Sequence, residues 1–488
     1  MVIGRADGNR RLELLESQRE PVRLGQDVFT TGSISEETTE RAIDAFVRFR
    51  RQMETQDVKR ARAVATSATR EALNKDIFID RVRQESGIEI TTISTEEEAR
   101  LIHLAVAEKV SLKGKLAMLI DIGGGSVEVT LASGDHIIST ESYKMGTVRL
   151  LQILEEKRRG ERIFSQMVRE YVDATEKRLK KEIGSRKIDL CIGTGGNVET
   201  LGDLRKQVYG KNSSAKLSAP ELDGLVKKLQ SMGFEERIAR LHLRPARADV
   251  IVPASIVLQK ILKQAGVDEV LIPNVGLKDG LLLDMLDELY DDQKHLHRDQ
   301  VVESAIQLGR KYSFDEPHAT TVANWAVRLF DETRGLHSLD PESRMLLEVA
   351  ALLHDIGSFV NINDHHKHTF YVLMATPLIG LSESQTAIVA NVARYHRKSF
   401  PKLEHEPYRL LSSKDRVTVS KLAAILRLAD ALDHEHAAKV TDFSVEYKKP
   451  KFIMKLKGSG DLLLEKWALA RKAALFEEVF SVKFSVAE

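Results

Sequence analysis

Residues 115–134 read KLAMLIDIGGGSVEVTLASG: an apolar run ending at Asp121 and Ile122, three glycines, Ser126, then Val127, Val129 and Leu131 in alternation. The apolar run predicts a strand covered on both faces, and the alternation predicts a second strand covered on one. Glycines between them permit backbone conformations closed to residues with a Cβ, and they gather N–H groups at one spot that a phosphate can approach. Asp121 then stands where a divalent cation or its water shell would be held. A tight β-hairpin turn accounts for the same residues. A second stretch, KIDLCIGTGGNVETL, repeats the plan of strand, Gly193-Thr194-Gly195-Gly196-Asn197 and helix. Two such loops facing each other would clamp a phosphate.

At 488 residues the chain is too long for one core and should divide into about three or four domains. Residues 1–112 open with a hairpin, MVIGRADGNRRLELLES, turning at Asp-Gly-Asn, and continue in helices such as EETTERAIDAFVRFRRQM. Over 113–292 short apolar strands alternate with charged helices, SQMVREYVDATEKRLKKEIG among them, which suggests a parallel or mixed sheet with helices packed on it. Helix follows helix over 300–437, where histidines concentrate, and 438–488 reads as a hairpin and a helix, a small α+β tail.

A formal net charge of +1 gives no global drive toward nucleic acid or an anionic membrane, so an anionic ligand needs a local basic site. Cys191 stands alone, which excludes an intrachain disulfide and suits a reducing cytoplasm. No apolar run approaches the roughly 18 residues of a membrane helix, and no apolar signal core opens the chain. These features predict a cytoplasmic protein.

Six runs carry a resemblance to a family: VATSATREALN (64–74), ISTEEEARLIHLAV (93–106), DIGGGSVEV (121–129), IGTGGNVETL (192–201), RADVIVPA (247–254) and GLKDGLLLDM (276–285). The chain resembles the bacterial exopolyphosphatases and guanosine pentaphosphate phosphohydrolases, the Ppx/GppA family. The resemblance implies duplicated α/β actin-like (ribonuclease H-like) domains, an Mg²⁺-dependent hydrolysis of the terminal phosphoryl group of polyphosphate or guanosine pentaphosphate, and a homodimer. By the same resemblance Glu98 activates water, and Asp121 and Glu128 engage Mg²⁺. Ser126 and the amides of Gly123, Gly124 and Gly125 contact phosphate oxygens, Arg70 lies near the phosphates, and Gly193, Thr194, Gly195, Gly196 and Asn197 form the second phosphate-binding loop. From the residues alone, Thr95 followed by three glutamates reads as a capped helix start with exposed acids.

The helical region follows the order of the HD metal-dependent phosphohydrolases: His318, then His354-Asp355, then Asp430. That resemblance implies a second divalent metal, with His365, His366, His368 and His396 as further candidates for metal or phosphate. Basic runs such as EKRRGER and EKRLKKEIGSRK would either line a polyanion channel or form solvated faces.

Residues 127–150 can be laid against residues 1–24, both running strand, turn, strand and a Val-Arg-Leu triplet. The later copy is preceded by the Asp121 strand and loop; the earlier is expected to need the same element ahead of Met1, and a chain without it to hydrolyse weakly. Two classes of function fit these readings. One is the hydrolase; the other is a regulatory protein that binds polyphosphate or alarmone without hydrolysing it, any catalysis being confined to the histidine region.

Overall fold

The computed structural model describes residues 1–7, 12–134, 136–155, 161–184, 186–289, 294–376 and 378–487. The expected Asp-Gly-Asn turn and most of EKRRGER therefore lie outside the described residues. The chain forms two compact units, Met1–Lys294 and His295–Glu488.

In the first unit, β1 (Val2–Ala6) and β2 (Leu12–Ser17) form an antiparallel pair, and β3 (Ala63–Ala65) and β4 (Ile90–Thr92) a separate parallel pair. A mixed six-stranded sheet follows, built from β5 (Leu116–Ile122), β6 (Val127–Ser133), β7 (His136–Tyr143), β8 (Leu190–Thr194), β9 (Lys216–Ser218) and β10 (Glu269–Leu271) in the order β7-β6-β5-β8-β10-β9. β5 lies between β6 and β8 with helices over both faces, which is why its sequence is apolar from Leu116 to Ile120, ahead of Asp121. Two copies of strand, strand and helix are visible. β1 and β2 lead to the helix Leu24–Thr31, β6 and β7 to Thr147–Glu155, and the two helices meet where the Thr30 hydroxyl donates to Gln152 at 2.9 Å. Among the described residues, β1-β2 and β3-β4 are separate two-stranded sheets.

The segment expected as one helix over SQMVREYVDATEKRLKKEIG is two, Glu161–Asp173 and Glu176–Ile183, because the chain turns at Ala174 and Thr175. Thr95 is not the cap of its helix. Ser94 is: its side chain accepts from the Glu97 amide at 3.2 Å, and the helix runs Thr95–Lys109 with Glu96, Glu97 and Glu98 in its first turn.

The second unit packs helices including Lys294–Lys311, Glu316–Glu332, Pro341–Leu353, His365–Ala375, Glu383–Arg394 and Ser413–Ala431 around a core of Ala, Leu and Val. Small residues on Ser413–Ala431 allow close helix approach, and most of its second half is buried. The tail is larger than a hairpin and a helix. β11 (Val440–Lys448) and β12 (Lys451–Gly458) pair antiparallel, two helices follow, and β13 (Lys483–Val486) returns parallel to β12. Among the described residues, no helix is long and apolar enough to cross a membrane.

Candidate active site

Strand register assembles the first cluster. Asp121 on β5 stands opposite Glu128 on β6 and Thr194 on β8, so three polar side chains form a row across adjacent strands. The first turn of the Thr95–Lys109 helix brings Glu98 to that row, and carboxylate oxygens of Glu98, Asp121 and Glu128 all lie within 4.8 Å of one another. Contrary to the exposed acid that its local sequence suggests, Glu98 is 7% exposed. Arg70 Nη1 lies 3.6 Å from Glu98 Oε2 and donates to the Ile93 carbonyl at 2.5 Å, which anchors its head beside the acid.

Crowding three acids in a buried space disfavours their ionised forms. Burial pushes Glu98 up to about 8, with Glu128 and Asp121 adding to the rise and Arg70 opposing it. Glu128 is pushed up to about 7, again chiefly by burial with Asp121 adding, while Ser126 and Ser142 oppose. Burial raises Asp121 as well, against the Thr194 hydroxyl that donates to it at 2.7 Å. Glu98 Oε2 is buried without a hydrogen-bond partner. Hard carboxylate oxygens gathered in one buried space are an environment that Mg²⁺ fits; Asp121 and Glu128 are the residues that would hold it, with the unpaired Glu98 Oε2 left beside it.

The two glycine loops flank this cluster. Gly123–Ser126 is a tight hairpin turn, with the Gly123 amide donating to the Ser126 carbonyl at 3.1 Å. The hairpin-turn reading of the loop holds, and the turn borders the acids. Its carbonyls are taken by the following helix: Thr147 N donates to Gly123, Val148 N to Gly124 and the Arg149 guanidinium to Gly125 at 2.7 Å. Space here excludes larger residues. A Cβ on Gly125 would lie 2.3 Å from both Phe29 Cζ and Ser67 Oγ.

On the other side Gly195, with φ +86°, takes a left-handed turn, and a Cβ there would lie 2.9 Å from Asp121 Oδ1. The helix Gly196–Tyr209 starts at once with Gly195 as its cap: the Gly195 carbonyl accepts from the Val198 and Glu199 amides at 3.0 and 3.1 Å, and no cap side chain accepts from the first turn, whose start would favour an anion. Asn197 donates to the Ile122 carbonyl at 3.4 Å and accepts from Arg247 Nη1 at 2.7 Å. Arg247 sits against Gly196, where a Cβ would be 2.1 Å from Nη2. Sequence reasoning placed Arg247 in a matching run without giving it a task. Its position beside the loop emerges only once a distant helix start is folded onto it.

The second cluster lies in the other unit. His318, near the start of Glu316–Glu332, and His354, at the end of Pro341–Leu353, both come within 3.9 Å of Asp430 Oδ1, and His354 Nε2 is 3.7 Å from Asp355 Oδ1. The expected quartet is therefore brought together. His396 and His365 join it at Asp355, whereas His366 and His368 belong to neither group of ligand atoms gathered there. Asp433, which the sequence reading did not single out, bonds His318 Nδ1 at 2.8 Å.

Residues 2–289 match the sequence model of the Ppx/GppA phosphatase family, and residues 301–477 that of Ppx/GppA phosphatase, domain III. A relative from Vibrio vulnificus named guanosine-5'-triphosphate,3'-diphosphate pyrophosphatase is 26% identical over 436 residues, spanning 89% of this chain and 84% of its own length. Among solved structures, an exopolyphosphatase from Cytophaga hutchinsonii aligns with a TM-score of 0.55 at 28% identity, covering 59% of this chain and 94% of the other. The Ppx/GppA family member from Aquifex aeolicus aligns at 0.51 and 25% identity, covering 59% and 93%. Names within the family are those of phosphoanhydride hydrolases.

Proposed function

The chain belongs to the Ppx/GppA phosphatase family, and from that footing we propose that it hydrolyses the terminal phosphoanhydride of inorganic polyphosphate or guanosine pentaphosphate and releases orthophosphate. The supporting observation is the buried meeting of Glu98, Asp121 and Glu128 between two glycine turns. When bound, Mg²⁺ supplies the positive charge that lets these acids ionise and that offsets the charge on the phosphate oxygens.

The chain's own residues then divide the work. Loop amides and the start of Gly196–Tyr209 orient the terminal phosphoryl group, with Arg247 behind Asn197. Glu98, whose Oε2 has no hydrogen-bond partner, accepts the proton of an attacking water as its oxygen bonds to phosphorus. The P–O–P link breaks and the shortened chain leaves with the electron pair. Arg70, held by the Ile93 carbonyl, keeps the Glu98 carboxyl in place through that transfer.

Both substrates present the same terminal phosphoryl group, so release of orthophosphate from each, with Mg²⁺, in the wild type and in Glu98→Gln is the experiment. Turnover that survives in Glu98→Gln removes the proposal; binding without turnover in the wild type favours a regulatory protein instead.

A further inference from the structure

In the Gly123–Ser126 turn the carbonyls of all three glycines are bonded, and what bonds them also aims the amides. A trans peptide directs its C=O and its N–H opposite ways, so the groups that hold the carbonyls of Gly123, Gly124 and Gly125 set the direction of the amides of Gly124, Gly125 and Ser126. Residues 146–149 do the holding. The Thr147 amide donates to the Gly123 carbonyl at 3.1 Å, and the Val148 and Arg149 amides donate to that of Gly124 at 2.9 and 3.0 Å. Among the described residues, the amides of Gly124, Gly125 and Ser126 donate to no backbone acceptor, which leaves them for a phosphate oxygen.

Gly125 differs from the other two. Backbone reaches its carbonyl only through the Gly146 amide at 3.3 Å, and the shorter bond comes from a side chain, Arg149 Nε at 2.7 Å. The direction of the Ser126 amide therefore depends on where the Arg149 head is held, and residues from 1–112 hold it. Arg149 Nη2 donates to Glu71 Oε1 at 2.6 Å, the Ser67 hydroxyl donates to the same oxygen at 3.0 Å, and the centre of the Phe29 ring lies 4.1 Å from the guanidinium carbon. Glu71 ends the helix Ser67–Glu71 and follows Arg70, whose Nη1 lies 3.6 Å from Glu98 Oε2. One planar guanidinium thus joins the turn to the helix that carries Arg70. Two nitrogens on a rigid head fix an angle that the single nitrogen of a lysine cannot.

Resting on the hydrolase reading above, we propose that Arg149 is a positioning residue for the phosphoryl group: through Gly125 it aims the Ser126 amide, and through Glu71 it sets that aim relative to Arg70 and Glu98. Its side-chain bonds go to Gly125 and Glu71 and not to the three acids, so its effect on turnover runs through the turn. Misplacing a reacting group by about 1 Å costs about a hundredfold in rate. Affinity is shared with the Gly193–Asn197 loop, so KM should move far less than kcat.

The test measures orthophosphate release from tripolyphosphate with Mg²⁺, together with urea unfolding, in the wild type, Arg149→Gln, Arg149→Lys, Glu71→Gln and the double variant Arg149→Gln, Glu71→Gln. Arg149→Gln should lower kcat by about 10- to 100-fold with KM within a few fold. Arg149→Lys should recover part of the loss, and the double variant should fall no further than Arg149→Gln because Glu71 acts through Arg149. Glu71→Gln keeps the side chain's shape and an acceptor, so it carries the comparison if Arg149→Gln does not fold. Amide hydrogen exchange in the full chain carrying Glu98→Gln needs no turnover. Tripolyphosphate with Mg²⁺ should slow exchange over residues 121–129 and 192–201, and adding Arg149→Gln should abolish the first effect and keep the second. Three results overturn the proposal: turnover lost only in step with the folded fraction, no slowing over 121–129 ahead of the Arg149 substitution, and the same slowing after it. A wild type that releases no orthophosphate, with exchange over 121–129 still governed by Arg149, removes the hydrolase reading and leaves the aim of the turn assigned to Arg149.

Discussion

Gly280 packs so closely on the helix bearing Glu98 that a Cβ at this position would lie 1.8 Å from the Leu101 carbonyl oxygen. Backbone rather than a flexible side chain is the obstacle, so the helices Leu277–Leu289 and Thr95–Lys109 can keep this separation only with glycine there. Ion pairs reinforce the contact: Arg100 donates to Asp284 at 2.8 Å, and Arg62 reaches the other oxygen of Asp284 at 2.7 Å.

Gly280→Ala is therefore expected to push the Glu98 helix away from the acid row. Overpacking of this kind costs about 1–3 kcal/mol. Urea unfolding should show that loss, and turnover in the protein that remains folded should fall with little change in KM. A variant with both unchanged would mean that the helices separate freely and that the spacing has no part in placing Glu98.

Arg247 offers a different readout. It braces Asn197 and fills the space beside Gly196 without touching the three acids' row. Arg247→Ala should raise KM for polyphosphate by about tenfold or more, with a smaller fall in kcat, and Arg247→Lys should recover part of the loss because charge returns without the planar fork. Equal KM values in all three proteins would assign Arg247 to packing alone.

Legibility in the sequence followed the range of the cause. β5 could be read because burial on both faces demands an unbroken apolar run, and the glycine turns because a left-handed residue such as Gly195 needs glycine locally. β13 could not, since Lys483–Val486 is short and pairs with a strand some thirty residues away. The burial of Glu98 was masked by its own neighbours: Glu96 and Glu97 belong to an ordinary helix start, and only the opposing strands turn Glu98 inward. His354-Asp355 was visible as a dipeptide, but the part played by Asp433 and the meeting of His365 with His396 depend on helices that fold together from far along the chain.

The acid row should respond to pH with a definite sign. An unfolded glutamate titrates near 4.5, while folded Glu128 and Glu98 titrate near 7 and 8. Below pH 4.5 both states hold the protons and no penalty arises; between about 4.5 and 8 the unfolded chain has released protons that the folded one retains, so cation-free stability falls as pH rises. Mg²⁺ bound among the acids opposes that fall. Melting of the first unit should be raised more by Mg²⁺ at pH 8 than at pH 5; an equal rise at both would place the ion elsewhere.

Glu98→Gln tests the centre of the proposed chemistry, because it keeps the shape of the side chain and removes its ability to take a proton. A general base contributes about 10²–10⁴-fold, so orthophosphate release should fall by that order. Stability should not fall with it. The wild-type carboxyl is buried beside Glu128 and Asp121, and a neutral amide there relieves repulsion that burial otherwise amplifies, so the cation-free variant should melt at or above the wild-type temperature near pH 8. A residue needed only for the fold would show the reverse pairing, lost stability with activity lost in proportion. Polyphosphate retention by the variant, measured by equilibrium binding with Mg²⁺, completes the comparison: a base that acts on water leaves affinity within a few fold, whereas loss of binding in step with turnover would move Glu98 from proton transfer to substrate holding.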